Sequence, residues 1–296
     1  MPWIPRGIIT ALLTPFHPDG ALDIQTLRTR IAWQLDQGIH GLLVGGVSGE
    51  YVNLSPEERR QVVQATLDAV AGRVPVIAGI LEPNTRQAVG AAKDFEALGV
   101  QALLLLTPFH NLPTPAGTIT HFRTVHDATS LPILLYNNPG RTGIDMDLAL
   151  QEEVAALPRV VGVKECRREM AIVSEQIRRA RPGFAVLSGE DDLALATFVL
   201  GGAGAILTGG NILPGLFLDI FHLVQRGEVA KAVELHHQMM PLILAIYTRN
   251  HPYPLKEAMA LAGMPVGPAR PPLAPMDQGQ REKVRAALRD LGLLRP

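Results

Sequence analysis

The sequence predicts an α/β protein, a (β/α)8 TIM barrel with a small C-terminal helical domain. Three observations carry that expectation. Eight short runs rich in Val, Ile and Leu recur at fairly regular intervals between residues 7 and 210. None alternates cleanly between apolar and polar residues, the pattern of strands buried on both faces of a parallel sheet. Segments with helical spacing separate them, so strand and helix repeat eight times.

The runs, in order, are GIITALL (7–13), GLLVGG (41–46), VPVIAG (74–79), ALLLLT (102–107), PILLY (132–136), VVGVK (160–164), FAVLSG (184–189) and AGAILTGG (203–210). Between the second and third lies SPEERRQVVQATLDAVAG (55–72). There Ser55 is placed as N-cap, Pro56 stands at the first turn, Glu58 completes a capping box and Gly72 lies near the stop. From about residue 226 no further strand-like run occurs. The chain instead carries GEVAKAVELHHQMMPLILAIYTR, a helix from about Pro254, the Pro-rich PVGPARPPLAP and a last helix in QREKVRAALRDLG. The expected division is therefore a catalytic barrel over 1–225 and a helical domain over 226–296.

The chain has 296 residues, a length that α/β barrels reach as single domains. Its formal net charge of -1 offers no electrostatic reason to bind nucleic acid or an anionic membrane. Cys166 is the one cysteine, which excludes a disulfide framework and a Cys-based zinc site and fits a reducing compartment. MPWIPRGIIT lacks the charged-then-apolar pattern of a signal peptide, and the expected location is the cytoplasm. Residues 193–218 carry no charge, but their glycines and Pro214 argue against a membrane helix.

In such a barrel the active site lies at the carboxyl ends of the strands. Reading those positions yields Ser48 and Glu50, Thr107 and His110, Tyr136 and Arg141, Lys164, and Ser188 to Glu190. Lys164 stands out. A lysine at a strand end is ordinarily solvated, yet the other four, Lys93, Lys231, Lys256 and Lys283, all sit in polar helical segments. Alternation places Val160, Gly162 and Lys164 on one face, so Lys164 points into the barrel and Gly162 leaves room beside it. A buried amine is expected to have a lowered pKa, and the free amine attacks carbonyls. That suits Schiff-base chemistry, which also needs a proton shuttle; Tyr136 ends the neighbouring run and can serve as one. Arg141 suits a substrate carboxylate, and the turn GGVSGEY exposes backbone N–H groups that form an anion nest. The glycines of LGGAGAI precede a strand instead of following one, which excludes a dinucleotide fingerprint. His236 and His237 are adjacent and cannot share a helix face as a metal pair. Cys166 reads as inert.

Together these motifs resemble the dihydrodipicolinate synthase and N-acetylneuraminate lyase family of pyruvate-dependent class I lyases. The resemblance covers nearly the whole chain: TPF (14–16), GVSGE (46–50), YNNPGRTG (136–143), GVKE (162–165), SGED (188–191) and RPPLAP (270–275). It implies a Schiff base between Lys164 and pyruvate, with no metal or organic cofactor, and Tyr136 as proton shuttle. It further implies that Ser48 and the backbone around Val47 hold the pyruvate carboxylate and that the Ile206 carbonyl faces the imine. Arg141 would meet the second substrate's carboxylate, and the assembly would be a homotetramer or homodimer.

Two departures stand beside the resemblance. Val47 replaces a relay threonine, and His110 stands where a neighbouring subunit normally supplies a relay tyrosine. Tyr51, Pro56 and Arg59 occupy the places of lysine-feedback residues. The leading expectation is a lyase that joins pyruvate to an aldehyde or releases it, as 4-hydroxy-tetrahydrodipicolinate synthase does. A 2-keto-3-deoxy sugar acid aldolase or dehydratase is the alternative, favoured by Val47 and His110. A catalytically idle keto-acid-binding paralogue and a phosphate-handling barrel using TGGN (208–211) rank lower.

Overall fold

The computed structural model describes residues 3–295. Strands β1 (Gly7–Ala11), β2 (Gly41–Val44), β3 (Val76–Ile80), β4 (Ala102–Leu106), β5 (Ile133–Asn137), β6 (Val160–Glu165), β7 (Ala185–Ser188) and β8 (Gly204–Leu207) form a closed barrel in chain order. All pairings are parallel, and β8 closes on β1 with Ile206 opposite Ile9. Every strand residue is buried, which explains why the runs read as continuous apolar segments instead of alternating ones. All eight expected strands are present.

The helices that cover the barrel are α1 (Ile24–Asp36), α2 (Pro56–Val70), α3 (Thr85–Leu98), α4 (Pro115–Asp127), the single turn α5 (Pro139–Thr142), α6 (Leu148–Ala155), α7 (Met170–Arg179), α8 (Ala194–Val199) and α9 (Pro214–Gln225). Helix α2 begins with the capping box that its sequence predicts. Ser55 Oγ accepts from Glu58 N at 3.2 Å, and Glu58 Oε2 accepts from Ser55 N at 2.9 Å. Its end comes at Ala71, which adopts a left-handed conformation at φ 49°.

Three helices follow the barrel: α10 (Val229–Ile246), α11 (Tyr253–Leu261) and α12 (Gln278–Asp290). Met239, Leu242, Ile243 and Leu255 belong to the same continuous apolar core as the strands. Polar links run back as well. Arg270 N donates to Glu50 Oε2 at 2.9 Å, and Arg270 Nη1 donates to Glu58 Oε2 at 2.8 Å. Lys256 Nζ pairs with Glu50 Oε1 at 2.6 Å, and both side chains are about 1% exposed. The C-terminal segment thus grips the loop after β2, where the expected anion nest lies. None of the described helices is long and apolar enough to cross a membrane.

Between β5 and β6 the register shifts: Ile133 pairs with Val160, but Leu134 pairs with Gly162. Val161 is the extra residue of a bulge, so the alternation expected from Val160 to Lys164 holds only from Gly162 onward. Gly162 also does a different job from the one expected. A Cβ there would lie 2.5 Å from the Ala185 carbonyl oxygen, so this glycine lets β6 approach β7. The room beside Lys164 comes from Gly189, where a Cβ would fall 2.9 Å from Lys164 Cε and 2.3 Å from Cys166 Sγ.

Candidate active site

Because strand side chains alternate, Glu165 faces the outer helices when Lys164 faces inward. Glu165 accepts from Asn137 Nδ2 at 2.8 Å, from Gln151 Nε2 on α6 at 3.0 Å and from Gln176 Nε2 on α7 at 3.1 Å. These bonds hold the end of β6, and Lys164 projects into a cavity of about 220 Å³ at the carboxyl ends of the strands. Val47, Ser48, Tyr136 and Arg141 line the same cavity. Lys164 is 6% exposed, with Nζ 4.5 Å from the centroid of the Tyr136 ring. Asn138 Nδ2 donates to Tyr136 Oη at 3.0 Å.

The charge state of Lys164 differs from the sequence expectation. Burial pulls its amine down, but Tyr136, Cys166 and Glu190, when ionised, pull it up by more, and it ends above the ordinary lysine value of 10.5. Burial raises the Tyr136 phenol as well, against the pull of Lys164.

Cys166, also on the cavity wall, lies closer to the chemistry than the sequence suggested. Burial pushes its thiol well above the usual value, so it remains protonated. Glu190, on the same wall, is likewise raised by burial.

Ser48 is held from two distant parts of the chain. Its Oγ lies 2.7 Å from Thr208 Oγ1 and 3.2 Å from His251 Nε2. His251 stacks on Tyr247 with ring centroids 5.3 Å apart. Burial, with Arg141 and Lys164 nearby, lowers His251 to about 3, so the ring is neutral. Behind them Asp191 accepts from Thr208 N at 3.1 Å and Gly209 N at 2.6 Å, and its burial lifts it to about 7. A second cavity, of about 250 Å³, shares Val47, Arg141 and His251 and is walled further by Leu81, Leu106 and Phe109.

Two expected residues are not brought into this cavity. His110 is exposed on the loop after β4 in a left-handed conformation, φ 71°. Ile206 is fully buried within β8 as part of the core, and Thr208 lines the cavity two residues farther on. Tyr51 and Arg59 form a cluster of their own: Tyr51 Oη donates to Glu82 Oε1 at 2.8 Å, and the Arg59 guanidinium lies 3.8 Å over the Tyr51 ring and pairs with Glu82.

A model of the dihydrodipicolinate synthetase family matches residues 4–291. The chain belongs to that family. Its relatives include the 4-hydroxy-tetrahydrodipicolinate synthase of Maridesulfovibrio salexigens, 39% identical over 98% of this chain and 99% of the relative. Among solved structures, the dihydrodipicolinate synthase of Thermotoga maritima is 33% identical with a TM-score of 0.95, covering 99% of this chain and all of its own. The chloride-inhibited synthase of Acinetobacter baumannii, complexed with pyruvate, is 32% identical with a TM-score of 0.94 over 98% of this chain and 99% of its own. Membership makes the protein a pyruvate-dependent class I lyase, of the kind that works through a lysine Schiff base.

Within this family frame, sequence reasoning missed Asn138, Thr208, Tyr247 and His251. Asn138 lay inside a recognised motif at a variable place. Thr208 falls in TGGN, a stretch that by itself suggests only a phosphate loop. Tyr247 and His251 follow the α10 pattern, and nothing local to them points 200 residues back to Ser48. Among the described residues no group of three or more His, Cys, Asp or Glu side chains is placed to hold a metal ion.

Proposed function

We propose that this enzyme joins pyruvate, held as a Schiff base on Lys164, to an aldehyde that carries a carboxylate, as 4-hydroxy-tetrahydrodipicolinate synthases do. The observation that carries the reading is the buried Lys164 amine 4.5 Å from the centroid of the Tyr136 ring, in one cavity with Ser48 and Arg141. Ser48 Oγ, backed by Thr208 and His251, donates to the pyruvate carboxylate. Among the described residues, the main-chain N–H groups of Val47 and Ser48 make no hydrogen bond and are free for the same anion.

Tyr136 accepts a proton from the Lys164 ammonium as its own passes to the ketone oxygen, and the freed amine attacks the carbonyl carbon. Water leaves with the former ketone oxygen. Ammonium plus ketone becomes protonated imine plus water, so no net proton is gained or lost. The imine nitrogen then draws electrons from the pyruvate methyl group, whose proton departs through Tyr136. The resulting enamine carbon bonds to the aldehyde carbon, and the aldehyde oxygen takes up that proton. In this scheme the Ile206 carbonyl faces the imine and Arg141 binds the acceptor's carboxylate.

His110 completes the site from a neighbouring copy in a homotetramer or homodimer, with residues 1–225 as catalytic barrel and 226–296 as helical domain. We place the enzyme in the cytoplasm, where its one thiol stays reduced. Cleavage or dehydration of a 2-keto-3-deoxy sugar acid is the second reading. Hydroxyl-bearing Thr208 and Tyr247 on the cavity wall, with Val47 in place of a relay threonine, favour it.

The test is to add pyruvate, reduce with borohydride and map the adduct by mass. Trapping on Lys164 is expected, and Lys164→Arg abolishes it. Absence of an adduct, or an adduct on another lysine, refutes the scheme. A panel of carboxylated aldehydes and 2-keto-3-deoxy acids then separates synthase from aldolase or dehydratase.

A further inference from the structure

Tyr136 has one hydrogen-bond partner among the described side chains, and it is Asn138, two residues farther on and just past the end of β5. The Asn138 main chain is fixed in place. Its carbonyl oxygen accepts from Arg141 N at 3.0 Å, Thr142 N at 3.0 Å and Thr142 Oγ1 at 3.0 Å. The side chain is thereby aimed from a rigid turn at the phenol. Val47, on the same cavity wall, has only methyl groups to offer.

An amide nitrogen donates and never accepts. With Asn138 Nδ2 at 3.0 Å, Tyr136 Oη must be the acceptor, and its own proton stays free. A lysine ammonium is also donor-only. Lys164 Nζ lies over the ring, 4.5 Å from its centroid, so among the described side chains the phenol proton has no taker until a carbonyl enters.

We infer that Asn138 is a positioning residue for this reaction: its amide N–H orders the Tyr136 phenol so that the phenol proton points at the incoming carbonyl oxygen. The phenol is then oriented from within its own subunit, without a hydroxyl at position 47. The bond also favours the phenolate, opposing the burial that raises Tyr136.

This inference rests on the Lys164 reading, and the experiment separates the two. Rates of borohydride trapping with pyruvate are measured for the full chain as wild type, Asn138→Asp and Asn138→Leu, each across pH. Asn138→Asp keeps the shape but turns the donor into an acceptor, so the phenol proton is tied to the carboxylate. We expect its trapping rate to fall at least tenfold. Asn138→Leu should fall about threefold to tenfold, consistent with the loss of one hydrogen bond. In both, the alkaline limb of the pH profile moves upward, a change that a merely structural role would not produce. Unchanged thermal unfolding of at least one variant excludes misfolding as the cause. Wild-type trapping with Asn138→Asp at the wild-type rate overturns the inference alone, because the phenol would then be donating to residue 138. Failure of the wild type to trap overturns the Lys164 reading itself.

Discussion

Replacing Lys256 by Met tests whether the C-terminal segment holds the anion nest. Lys256 Nζ lies 2.6 Å from Glu50 Oε1, donates to Thr14 O at 2.8 Å and Pro268 O at 2.9 Å, and sits 4.4 Å from the Phe16 ring centroid. Two of its protons are donated to main-chain carbonyls, and its charge faces Glu50. Burial lowers Lys256 to about 8, which keeps it charged at pH 7. The substitution leaves the Glu50 carboxylate buried with only Arg270 N at 2.9 Å and Asn53 Nδ2 at 3.2 Å, and it orphans two carbonyls. Breaking one side of a buried pair costs about 3–5 kcal/mol. Glu50→Gln combined with Lys256→Met removes both charges, and the double variant should be less destabilised than Lys256→Met alone, with a coupling of about 1–3 kcal/mol. Urea unfolding at pH 7 measures the cycle. Glu50 closes the loop that carries Ser48, so the half-saturating pyruvate concentration for trapping should rise in the single variant. A cost under about 1 kcal/mol for Lys256→Met, or additive single effects, would refute the reasoning.

Two further outcomes follow from the same geometry. Gly189→Ala drives a methyl group to 2.9 Å from Lys164 Cε and 2.3 Å from Cys166 Sγ, so trapping should slow by about tenfold or more, and Gly189→Ala with Cys166→Ala should recover part of the rate. Asp191 has a folded-state pKa raised from 3.8 to about 7, so the native state holds its proton longer than the unfolded chain. Its contribution to stability is complete below about pH 4 and fades as pH rises through 7. Relative to Asp191→Asn, the wild type should therefore lose up to about 4 kcal/mol of advantage between pH 4 and pH 7 in urea titrations. A difference that is constant with pH would show that the buried carboxyl is already ionised in acid.

Much of this protein was legible in its chain because the signals are local. Burial on both faces turns each barrel strand into an apolar run, and the Ser55 to Glu58 box marks α2 within four residues. Lys164 announced itself by contrast, a cation near the end of a strand whose preceding residues are all valine or glycine. Motif order then placed Tyr136, Ser48 and Arg141, and the structure brings these three to the same cavity as Lys164.

Other features depend on the closed barrel and on what packs over it. Ser48 meets Thr208 and His251 across 160 and 203 residues of chain, separations at which no sequence period survives. Which glycine makes room for Lys164 turned on the packing of β7 against β6, and Gly189 replaced Gly162 in that role. The proton on Lys164 was decided likewise. Burial by itself predicts a lowered amine, but Tyr136 from β5 and Glu190 from the loop after β7, with Cys166 just along the chain, reverse the sign. Hydrophobic periodicity is written in neighbouring residues and survives in the sequence, whereas an electrostatic environment is a sum over groups that only the fold brings within a few ångströms of one another.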